Sequence, residues 1–82
     1  MQEQALNKLS GQIEGISRTL MLLIAELGED RVIDHDFYTD SLRRAANELD
    51  QKNRILDTAR QTMHLMADQL DQAWVSRRTQ TQ

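Results

Sequence analysis

Apolar residues recur along this chain at alternating intervals of three and four, and the repeat falls into two blocks. The first is Leu6, Leu9, Ile13, Ile16, Leu20, Leu23 and Leu27. The second is Leu42, Ala45, Leu49, Lys52, Leu56, Ala59, Met63, Met66, Leu70 and Ala73. This seven-residue period lays a narrow apolar seam along an α-helix, and such a seam is stable only against another helix. The pattern predicts an all-α chain, an antiparallel helical hairpin with a long second helix and coiled-coil-like packing, dimerising into a four-helix bundle.

Capping chemistry sets the expected boundaries. The first helix covers about residues 2–27, closed by Gly28 in the left-handed conformation. An acidic loop follows over about residues 28–34, and the second helix runs from about residue 35 to 76. Asp34, Asp36 and Thr39 compete to cap that helix. Asp34 is favoured, because Ile33 and Tyr38 then form a hydrophobic staple and Asp36 and Asp40 lie near the positive end of the helix. Residues 41–75 contain no glycine or proline, so the helix is expected to continue through Lys52. A turn at residues 51–53, giving three helices, is the alternative. Residues 77–82 read as a polar, disordered tail.

Matching lengths points to an interface. The first seam folded back on the second helix reaches only from about residue 38 to 59. Met63, Met66, Leu70 and Trp74 then project beyond the hairpin, to be covered by a second copy or by another protein. A second candidate face is Gly11, Gly15 and Leu22, where small residues allow close approach of a helix. Plain tolerance of glycine on an exposed face is the simpler reading of that pair.

Composition supports oligomerisation. The chain has 82 residues, no cysteine, no proline and three glycines. Two helices cannot enclose a core, and without disulfides or thiolate metal sites a second copy is the remaining source of stability. The start has neither the basic flank nor the apolar run of a signal peptide, and the longest apolar run, residues 20–25, is far short of a bilayer. A cytoplasmic protein without a membrane segment is expected.

Net charge is −3, from eight acids and three bases in residues 1–40 (−5) and seven bases and five acids in residues 41–82 (+2). Bases alternate with acids on the second helix, the mark of a solvated face. That argues against nucleic acid, although Arg43, Arg44, Arg54, Arg60 and the tail residues Arg77 and Arg78 keep a small dimeric nucleic-acid-associated regulator as the alternative. Glu29, Asp30, Asp34 and Asp36 suit an acidic docking loop. With His35 they also invite a metal, but the calcium-loop spacing is absent and helix capping explains them, so no metal and no cofactor is expected. His35 and His64 lie 29 residues apart with no nucleophile or phosphate loop, which argues against an enzyme.

In length and helicity alone the chain resembles small bacterial or phage helical-hairpin adaptors and secretion chaperones. The expected function is stoichiometric protein binding, as an adaptor, inhibitor or chaperone, with a homodimer and an unidentified protein as partners.

Overall fold

A computed structural model describes residues 2–80. Over them the chain is three α-helices and no strand: α1 is Gln2–Glu29, α2 is His35–Asn47 and α3 is Arg54–Gln80. The expected second helix is therefore two, and the tail is helical as far as Gln80. Thr81 and Gln82 lie outside the described residues.

The break at residues 48–53 is built from aspartate and asparagine rather than glycine or proline. The Glu48 N–H still donates to the Ala45 carbonyl, and the Leu49 N–H to that of Ala46. The Asp50 carboxylate then captures the Lys52 N–H at 2.9 Å, and the Asn53 N–H donates to the Asp50 carbonyl. Asn53 caps the next helix, its side-chain oxygen accepting from the N–H groups of Ile55 (3.0 Å) and Leu56 (3.2 Å). Such side chains offer the backbone an alternative to helix, and cap the helix that follows. Lys52, the weak rung of the seam, sits exposed in this turn.

α1 also ends differently from expectation. Gly28 remains helical, and the left-handed residue is Arg31, at φ 59°. The Val32 N–H donates to the Leu27 carbonyl at 2.9 Å and the Arg31 N–H to the Gly28 carbonyl at 3.1 Å. These two bonds form a Schellman closure with arginine in the place usually held by glycine. Asp34 caps α2, accepting from the Phe37 N–H at 3.0 Å.

α2 folds back along α3, which opposes His35 to Asp71, Arg43 to Asp68 and Asn47 to His64. Among the described residues the buried apolar side chains are Ala46, Ala67 and Leu70, and Thr39 is buried as well. Ala46 and Ala67 each lie one residue off the predicted seam, and their small size suits close approach of the two helices. α1 meets α3 over a short stretch only. The molecule is elongated, 48 Å in its longest dimension with a radius of gyration of 14.9 Å, against about 12 Å for a compact domain of this length. No helix among the described residues is long and apolar enough to cross a membrane.

Candidate helix-binding surface

α1 meets α3 near its C-terminal end. Gly28 is buried, and a Cβ there would stand 3.2 Å from Cζ3 of Trp74. One turn further along α3, Arg77 pairs with Glu29 at 2.7 Å. From this point the helices diverge and leave a cleft of about 360 Å³, walled by Met21, Leu22, Ala25, Leu70, Ala73 and Trp74. Arg18, paired with Glu14 on the same helix at 2.8 Å, lies on its lining.

Helical geometry places the seam of α1 elsewhere. At 100° per residue, the α1 residues lining the cleft and the rungs of the seam point about 150° apart around the helix. The seam therefore faces away from α3. Leu6, Leu9, Ile13, Ile16, Leu20 and Leu23 are all large, aligned and 47–61% exposed. Isolated exposed leucines are ordinary, but six in register on one face are a contiguous apolar stripe of the kind that marks an interaction surface. The positions flanking the stripe are Ser10, Gln12, Ser17 and Thr19, small or neutral side chains that let another helix lie close.

A polar clasp joins α2 to α3 beside the cleft, and His35 belongs to both. Asp71 lies 2.9 Å from His35 Nε2 and accepts from Arg43 at 2.6 Å, while Arg43 also donates to Asp68 at 2.9 Å. Partial burial pushes the Asp71 carboxyl up, but the hydrogen bonds from Arg43 and His35 outweigh it and hold it below the ordinary carboxylate value. The bonds to Asp71 and Asp68 in turn raise Arg43 above its ordinary value. The His35 ring, buried, stacks on Trp74. His35, Asp36 and Asp71 bring potential ligand atoms within 4.8 Å of one another. The Arg43 guanidinium on Asp71 already supplies the cation that a metal would offer there, so this group acts as an α2–α3 tie.

The structure redistributes the residues expected at the interface. Leu70, at 4% exposure, is core, and Trp74 is half-buried between His35 and Gly28. Met63 and Met66 are half-buried. The expected overhang is absent, because the break at 48–53 turns α2 back onto the segment that was to project. The uncovered apolar length belongs to α1 instead. Gly11 and Gly15 are exposed with open space where a Cβ would be, and Leu22 is an exposed wall of the cleft. Of the acidic set, Glu29 pairs with Arg77 and Asp34 caps α2, while Asp30 and Asp36 are exposed. The clasp through Arg43, Asp68 and Asp71 was not anticipated; its partners lie 25 and 28 residues apart, and only the turn at 48–53 brings them together. The chain matches no known family model, and neither a curated protein nor a solved structure is detectably similar to it.

Proposed function

We propose that this chain is a small non-enzymatic protein–protein interaction module that binds an α-helix, one to one, along the exposed seam of α1. The observation that carries this reading is the orientation of α1: it meets α3 with one face and presents six aligned Leu and Ile side chains on the other. A seven-residue period on an open helix is the geometry of coiled-coil pairing, in which each rung inserts between four residues of the facing helix. The mechanism is steric. Affinity comes from removing the stripe from water, at about 25 cal/mol per Å² of apolar surface, and the module acts by masking or joining what it binds, as an adaptor, inhibitor or chaperone does.

Nucleic-acid binding has weaker support. Arg43, Arg60 and Arg77 each pair with a carboxylate, which reduces what they can offer a phosphate backbone.

Selection from a displayed library of helical peptides tests the reading without knowledge of the native partner. Ligands with a seven-residue apolar repeat are expected to be enriched, to lose binding to Ile13→Asp/Ile16→Asp and to keep it to Leu22→Asp. Enriched ligands indifferent to the Ile13/Ile16 change would place the binding surface elsewhere.

A further inference from the structure

We infer that the helix covering the α1 seam is the α1 of a second copy of this chain, so that the protein is a dimer joined through Leu6, Leu9, Ile13, Ile16, Leu20 and Leu23. The inference rests on the reading of that seam as a binding surface and names its occupant.

Area is the first support. The chain exposes 6815 Å², where a compact monomer of its mass exposes about 5,000 Å². The excess, roughly 1,800 Å², is more than twice what each partner contributes to a standard protein–protein interface. That excess is spread over the elongated molecule, and the seam, with its six side chains 47–61% exposed, is an aligned apolar part of it.

The second support is that α1 cannot stand on its own contacts. Its one buried residue is Gly28, near its C-terminal end. Residues 2–16 of this 28-residue helix are all exposed, and isolated helices are marginal in water even when their propensity is high. Gly11 and Gly15, in its first half, each cost about 1 kcal/mol of helix propensity relative to alanine. What covers the seam must therefore be present whenever the chain folds, and a second copy always is.

Charge is the third. Helices that select a different partner carry charges beside their apolar seam, and these attract one sequence and repel others. Between Leu6 and Leu23 the flanking positions are Ser10, Gln12, Ser17 and Thr19, with no charge among them. Lys8, Glu14 and Arg18 lie on the sides and back of the helix. Two copies can pair without bringing like charges together.

Because α3 lies on the opposite face of α1, pairing meets no obstruction from it. Two α1 helices form the centre, an α2–α3 body hangs on the outside of each, and the cleft beside Trp74 stays open in both copies. This differs from a closed four-helix bundle sealed by Met63, Met66, Leu70 and Trp74.

Sedimentation equilibrium and light scattering on the full chain at micromolar concentration test the inference. Wild type is expected at twice the chain mass. Ile13→Asp/Ile16→Asp is expected to associate on the order of 100-fold more weakly, since it sets charges in an apolar seam. Leu22→Asp, on the cleft side, should remain dimeric. A monomeric wild type overturns the proposal, and so does a dimer that survives Ile13→Asp/Ile16→Asp. Should that variant fail to fold, the milder Ile13→Gln is read in its place: weaker association is expected, and a dimer of undiminished affinity overturns the proposal. If wild type is monomeric, fluorescence of the apolar dye ANS separates the two ideas. Dye bound by wild type and lost in Ile13→Asp/Ile16→Asp means an open seam awaiting another protein, whereas equal dye binding removes the seam as a binding surface altogether.

Discussion

The rings of His35 and Trp74 stack face to face, with centroids 4.9 Å apart and planes 5° from parallel. The pair joins the start of α2 to α3, and the indole's benzo edge faces Gly28 of α1. Trp74, itself in α3, thus brings the start of α2 and the end of α1 together.

Three glycines in α1 should therefore respond differently to the same substitution. Alanine improves helix propensity by about 1 kcal/mol at an interior position. Gly11→Ala and Gly15→Ala meet open space and are expected to raise stability by about 0.5–1 kcal/mol each. Gly28→Ala places a methyl 3.2 Å from Trp74 and is expected to forfeit that gain, and Gly28→Leu to displace the indole. Urea titrations followed by tryptophan fluorescence read both effects, since Trp74 is the only tryptophan. A gain at Gly28→Ala equal to that at Gly11→Ala would show that the contact does not constrain the helix.

Arg31 offers the opposite case. It holds the left-handed place of a Schellman closure, a conformation that costs an L-residue about 1 kcal/mol and glycine nothing. Arg31→Gly should stabilise the fold by about that amount, offset in part by greater freedom of the unfolded chain. An unchanged or lower midpoint in thermal unfolding would count against this closure.

The break between α2 and α3 rests on two side chains. Asp50 holds the turn and Asn53 caps α3. Asp50→Ala and Asn53→Ala are each expected to cost about 1 kcal/mol. Because alanine also favours continuing the helix, helicity by circular dichroism should hold or rise while stability falls. A loss of both together would mean that the substitutions simply unfold the region.

Acid should loosen the clasp. Asp71 ionises below the ordinary carboxylate value in the folded chain, so its charged form stabilises the fold above that ordinary value, near pH 4. That contribution is lost as pH falls through the folded value. Wild type should therefore lose stability progressively below about pH 4, and Asp71→Asn should show a shallower slope there. At neutral pH the same variant should cost about 1 kcal/mol, a modest figure because solvent reaches Asp71. Matching slopes for the two proteins would leave Asp71 no part in the acid response.

Local spacing and capping were enough to indicate that the chain is helical, that α1 begins near residue 2 and carries a regular seam, and that Asp34 opens α2. Each depends on residues within one or two turns of each other, which is the range over which a helix senses its own sequence. Two decisions were taken at longer range. Residues 48–53 could be turn or helix by local preference, and burying Ala46 and Ala67 while Arg43 reaches Asp68 and Asp71 favours the turn. Which apolar face of α1 meets its own chain was equally open, because Met21, Leu22 and Ala25 and the heptad rungs could each have served. The close approach of Trp74 to Gly28 settles it, and so leaves the seam, the feature most legible in the sequence, pointing outward.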